Sequence, residues 1–97
     1  MTNHNRPRRS ALYFPATNAK AIAKARSQPA DIVIIDLEDS VAPEQKVEAR
    51  AAALAAVKEG GFGSREVAIR ANGLDTEWGM DDLAAIATSG ADAVLVP

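Results

Sequence analysis

Apolar residues along this chain fall into short dense blocks, separated by turn residues and by alanine-rich stretches with a longer period. Residues 10–14, "SALYF", form an apolar run closed by Pro15, after which Thr17 or Asn18 is placed to cap a helix reaching about Ser27. "DIVIIDL", residues 31–37, is rich in β-branched side chains and reads as a second strand. Pro43 then stands where first-turn prolines stand. It leads an alanine-rich helix with an expected apolar stripe of Val47, Ala51, Leu54 and Val57, stopped by Gly60 and Gly61. "EVAIR", residues 66–70, predicts a third strand, about Asp81 to Ser89 a third helix, and "ADAVLVP", residues 91–97, a fourth strand. The order is β-α-β-α-β-α-β.

Strict alternation of strand and helix implies parallel strands joined by right-handed crossovers, so the fold class is α/β. Two architectures share this signature, an open doubly wound sheet and a (β/α)8 barrel. The last strand has no helix after it, and four strands with three helices make nearly half of a barrel of typically ~250 residues. The expectation is the N-terminal portion of a TIM (β/α)8 barrel occupying residues 10–97 and continuing beyond them, after a flexible segment over residues 1–9. A compact four-stranded open domain is the alternative that length leaves open.

Strand geometry sorts the side chains. Val33, Ile35 and Leu37 share one face of the second strand, and Ile32, Ile34, Asp36 and Glu38 share the other. On the third strand Val67 and Ile69 face the helices, while Ala68, Arg70 and, if the strand continues, Asn72 face away from them. Each strand has a face that turns polar only at its C-terminal end, and in α/β folds those ends form the rim where ligands bind. Asp36, Glu38, Arg70 and Asn72 are therefore the candidate site residues. A guanidinium at such a rim grips carboxylates in bidentate fashion, and neighbouring acids hold it in place. For Asp36 and Glu38, structural ion pairing and a direct chemical role both remain open. Asp39 is expected to point away from the site and, with Ser40, to favour the positive end of the helix near Pro43.

Composition narrows the function classes. A net charge of −2, with basic residues scattered apart from Arg6, Arg8 and Arg9, argues against nucleic acid. The absence of cysteine excludes disulfides and thiolate metal sites within these residues and fits a reducing, cytoplasmic compartment. Neither a secretory signal nor a run of ~18 apolar residues is present, so no membrane role is expected. His4 lies in the segment expected to be loose. "GGFG" at residues 60–63 follows a helix and precedes a strand, which is a turn context and not a phosphate-cradling one. Trp78 reads as a core plug or a loop anchor near the rim, and no nucleophile-base pair is evident.

"RRSALYFPA", Lys24-Ala25, "DIVIIDLEDSVAPEQKVEAR" and "VAIRANGLDTEWGMDDL" together resemble the citrate lyase β-subunit-like family of the HpcH/HpaI aldolase superfamily, which includes malyl-CoA and citramalyl-CoA lyases. The resemblance runs from about Arg8 to Pro97. It implies a TIM-barrel lyase that uses Mg²⁺ to cleave or form a carbon-carbon bond between an acyl-CoA and a 2-oxo acid, citryl-CoA lyase-like activity being the nearest named form. It further implies that Arg70, with Asn72 beside it, binds the oxo acid carboxylate, and that Asp36 and Glu38 serve as supporting or proton-handling groups. The metal ligands, a glutamate and an aspartate, are expected beyond Pro97. A homo-oligomer, trimer or larger, is also implied. One motif departs from the family: where Pro-Gly-(Ser/Asn)-Arg is common in a loop associated with CoA, this chain reads Pro15-Ala16-Thr17-Asn18. Lost contact to CoA phosphates would mean weaker CoA affinity, a substitute such as Lys20 or Lys24, or a substrate that is not a CoA thioester. Malyl-CoA or citramalyl-CoA lyase, thioesterase, non-CoA aldolase and non-catalytic metabolite-binding subunit are the alternative functions.

Overall fold

Each short apolar block becomes a strand and each alanine-rich stretch a helix. The computed structural model describes residues 10–97. The elements are β1 (Ala11–Pro15), α1 (Ala19–Ala25), β2 (Ile32–Asp36), a single 3-10 turn (Pro43–Gln45) running into α2 (Lys46–Glu59), β3 (Glu66–Arg70), α3 (Gly79–Ala87) and β4 (Ala93–Leu95). The expected flexible segment over residues 1–9, the cluster Arg6, Arg8, Arg9 and the reading of His4 lie outside the described residues.

All strand pairs are parallel and the strand order is β1-β2-β3-β4. This sequential order decides between the two architectures. A doubly wound sheet reverses its order at a switch point so that helices cover both faces, whereas right-handed crossovers in unbroken sequence put every helix on the same face. Here Ile22 and Ala25 of α1, Ala49, Ala53 and Ala56 of α2 and Ile86 of α3 join one core cluster with Val33, Ile35, Leu37, Val67, Ile69 and Ala71. The molecule is a four-stranded wedge of a barrel. Full burial of side chains such as Ile35, Leu37 and Ile69 is worth about 1.5–3 kcal/mol each.

The buried stripe of α2 differs from the expected one. Val47 is 65% exposed and Ala51 is also exposed, while Lys46, Ala49, Ala53 and Ala56 form the buried face. The physical reason is close approach: alanines let the helix lie near the sheet, and the larger Leu54 and Val57 sit at the margins. Asn18 caps α1, its Oδ1 accepting the Ala21 amide at 3.0 Å. The glycine stop after α2 is as expected, with Gly60, Gly61 and Gly63 all at positive φ. Arg26 closes this end by donating to the carbonyls of Gly60 at 2.7 Å and Ala56 at 3.3 Å. Helix α3 begins two residues earlier than the sequence suggests, because Gly79 fits directly beneath the Gly73 carbonyl, where a methyl group would overlap it. No helix among the described residues is long and apolar enough to cross a membrane.

Candidate functional site

Register builds the site. Tyr13, Ile34, Ala68 and Ala93 pair across the sheet at one level, and Pro15, Asp36, Arg70 and Leu95 pair at the next. Alternation turns these side chains away from the helices, so Asp36 and Arg70 meet at the C-terminal rim on adjacent strands. Arg70 Nε donates to Asp36 Oδ1 at 2.7 Å. The remaining lone pairs of Asp36 are filled by the next turn: the Glu38 amide donates to Oδ1 at 3.0 Å, and the Ser40 amide and hydroxyl donate to Oδ2 at 3.0 and 2.6 Å. Burial alone would raise the Asp36 pKa, but the hydrogen bonds from Arg70, Ser40 and Glu38 outweigh it and hold this carboxyl far below the usual carboxylate range. Its hydrogen bond to Asp36 pushes the pKa of Arg70 up, against the lowering effect of burial.

Asp36 is therefore a fixed anion. With its oxygens engaged by Arg70, Glu38 and Ser40, Asp36 is placed as an anchor for Arg70. Glu38 is 3.6 Å from Arg70 Nε and makes no side-chain hydrogen bond among the described residues.

Two expectations about side-chain direction are corrected. Asp39 does not point away: its Oδ2 lies 3.6 Å from Arg70 Nη2. Strand alternation stops applying after Asp36, because the turn closed by the Glu38 and Ser40 amides folds residues 38–40 back over the rim. Asn72 does not share the rim with Arg70. The β3 pairing ends at Arg70 opposite Leu95, and beyond Ala71 the chain bends toward α3. There Asn72, 2% exposed, donates through its amide nitrogen and its Nδ2 to Asp82 Oδ2 at 3.0 and 2.6 Å. Arg50 of α2 completes this second cluster by donating to Asp82 Oδ1 at 2.7 Å.

A pocket of about 370 Å³ opens in front of Arg70, walled by Tyr13, Phe14, Pro15, Asp36, Asp39 and Ser40. The Tyr13 ring lies 5.4 Å from the guanidinium carbon. The Arg70 side chain is 24% exposed, and its Nη atoms make no hydrogen bond among the described residues, which leaves the outer edge of the guanidinium turned to this space. The arrangement can take up a small carboxylate by two parallel hydrogen bonds without disturbing the inner contact to Asp36. Sequence reading missed Tyr13 here, although its place on the Arg70 face follows from alternation once the β1 register is known. It also missed Lys46, Arg50 and Asp82. Lys46 leaves a trace, being a cation in the same helical register as Ala49, Ala53 and Ala56.

Among the described residues no three His, Cys, Asp or Glu side chains are grouped so as to hold a metal ion. The rim acids do not fit magnesium: Asp36 is saturated by donors, and Glu38 and Asp39 flank a guanidinium. At the loop after β1, Asn18 is occupied as a helix cap, Ala16 is buried, and Lys20 and Lys24 are exposed on α1. Trp78 is half-buried beside the ammonium of Lys46, 5.5 Å from its ring centroid, and so anchors the loop and does not plug the core.

Comparison with known proteins gives a consistent picture. The family model for HpcH/HpaI aldolase/citrate lyase matches residues 9–97. A (3S)-malyl-CoA thioesterase of Cereibacter sphaeroides is 43% identical over 97 residues, which is 100% of this chain and 34% of that protein. The citrate lyase subunit beta of Escherichia coli is 41% identical over 92 residues, 95% of this chain and 30% of that protein. Among solved structures, the citrate lyase beta subunit of M. tuberculosis complexed with oxaloacetate and magnesium superposes with a TM-score of 0.69 at 34% identity, covering 93% of this chain and 40% of that one. The chain spans about a third of the length of the curated relatives it matches.

Proposed function

Because this chain belongs to the HpcH/HpaI aldolase/citrate lyase family, we propose that it forms the first part of a (β/α)8 barrel enzyme acting on an acyl-CoA and a 2-oxo acid, as a carbon-carbon lyase of the citryl-CoA or malyl-CoA type. The observation that carries this reading is the geometry of Arg70: its inner edge is bound to Asp36 at 2.7 Å and its outer edge faces a pocket of about 370 Å³. A planar carboxylate docks on that edge in one orientation, which fixes the position of the adjoining keto carbon and the bond to be made or broken. Asp36 keeps the guanidinium from rotating. The wall formed by Tyr13 and Phe14 is apolar enough to favour a small organic acid over free phosphate.

The rim itself is rich in acid. Among the described residues Asp36, Glu38 and Asp39 surround a single guanidinium, so these groups present an incoming anion with net negative charge unless further positive charge is close by. Magnesium, with ligands supplied from outside residues 10–97, would answer that need, and the solved relative complexed with oxaloacetate and magnesium supports its use.

The test is Arg70→Ala in the full-length protein. Titration with oxaloacetate or pyruvate should show affinity reduced by about 100-fold, with the far-UV spectrum retained; a loss of less than ~3-fold refutes the assignment. A second reading, hydrolysis of the thioester, is favoured by the 43% identity to a malyl-CoA thioesterase. The products distinguish the two. A lyase converts malyl-CoA to acetyl-CoA and glyoxylate, whereas a thioesterase adds water across the thioester and releases free CoA and malate.

A further inference from the structure

Helix α2 opens with a lysine turned back beneath the acidic turn. Lys46 is only 6% exposed, and its Nζ donates to the carbonyl oxygens of Leu37 at 3.0 Å and Glu38 at 2.7 Å. None of the ion pairs among the described residues includes it. A buried ammonium held by neutral carbonyls is costly, and the register it occupies is otherwise filled by Ala49, Ala53 and Ala56, so packing alone has no need of a cation there.

The two carbonyls belong to residues whose own amides are tied to Arg70. The Leu37 amide donates to the Arg70 carbonyl at 2.9 Å, and the Glu38 amide donates to Asp36 Oδ1, which in turn accepts Arg70 Nε. Residues 37 and 38 are thus clamped between Lys46 beneath and Arg70 in front. The Trp78 ring, from the segment that follows β3, lies against the same ammonium at 5.5 Å. One buried charge therefore joins the two loops that flank Arg70.

We propose that Lys46 is a positioning residue for Arg70: it fixes the turn after β2 so that Asp36 presents the guanidinium to the pocket in its carboxylate-binding orientation. The inference rests on the reading of Arg70 as the oxo acid anchor. The positive charge of Lys46 also offsets part of the repulsion among Asp36, Glu38 and Asp39, which the turn forces close together.

A double-mutant cycle in the full-length protein tests this, with oxaloacetate affinity measured by calorimetry and thermal stability measured alongside. Lys46→Met keeps the aliphatic stem and removes the donors; it is expected to weaken binding about 10-fold, and Arg70→Lys to weaken it about 30-fold. Because Lys46 acts through Arg70, the double variant should bind no more than about twofold worse than Arg70→Lys alone. Two results overturn the inference: a lower melting temperature with unchanged affinity in Lys46→Met, which marks a purely structural role, or fully additive losses in the double variant. If Arg70→Lys itself leaves affinity intact, the reading of Arg70 falls and takes the inference with it. Should Lys46→Met fail to fold, Trp78→Leu replaces it, with an expected loss of about threefold; unchanged affinity in that variant overturns the proposal equally.

Discussion

Two guanidinium-carboxylate pairs stand on either side of β3, and each is closed by a single 2.7 Å contact through Nε. Arg50 and Asp82 lie between α2 and α3 with Asp82 fully buried, while Arg70 and Asp36 lie at the rim. What surrounds them differs. Around Asp82 every hydrogen-bond partner is a donor: the Arg50 guanidinium, the Asn72 amide and the Asn72 side chain leave the carboxylate satisfied. Around Arg70 the acids are in excess, and the outer edge of the cation is left facing a pocket. A balanced pair holds elements together, and an unbalanced one leaves binding capacity unspent. The contrast separates scaffold from candidate site more clearly than burial or residue type does.

Mutation of the scaffold pair should give the largest effect. Asp82→Ala leaves Arg50 and the Asn72 donors without an acceptor in a buried setting, and urea unfolding should show a loss of about 3–5 kcal/mol with oxo acid affinity little changed under folding conditions. A loss below ~1 kcal/mol would erase the distinction between the two pairs.

Acid offers an intermediate probe. The pKa of Asp36 in the folded protein lies below its unfolded value of about 3.9, so its contribution to stability is complete above roughly pH 5 and is lost as pH falls through the acid range toward the folded value. Unfolding curves for the wild type and Asp36→Asn should therefore converge between about pH 5 and pH 2. Parallel curves across that range would mean that the rim pair contributes nothing that depends on ionisation. The smallest effect is expected at Asp39, whose side chain is 78% exposed and faces the same guanidinium edge that an incoming carboxylate would use. Asp39→Asn should tighten oxaloacetate binding by about threefold at low salt, with the gain fading as ionic strength rises. Weaker binding would show that Asp39 assists the ligand and does not compete with it.

Much of this arrangement was legible beforehand, for identifiable reasons. The alternation of strands and helices follows from the apolar blocks, and the placing of Asp36 and Arg70 at one rim follows from side-chain alternation on two strands of equal length. The errors lie where a periodic rule was carried past the structure that enforces it. Asn72 and Asp39 each sit one turn beyond the last ladder pair, where a side-chain hydrogen bond, to Asp82 in one case and within the Asp36 turn in the other, redirects the backbone. The α2 stripe was misread because hydrophobicity favours Val47 and Leu54, whereas the helix buries its smallest residues against the sheet. Lys46 escaped notice because a lysine that buries its charge on backbone carbonyls has the same letter as one that solvates it.

The unbroken strand order also bears on how the chain assembles. Among β1–β4 each strand after the first takes as its neighbour the one translated just before it, so none of these pairings has to wait for a distant segment to leave the ribosome, and the loop closed at each step is a single crossover. Growth from one edge, a strand and its helix at a time, is therefore open to this polypeptide during its synthesis.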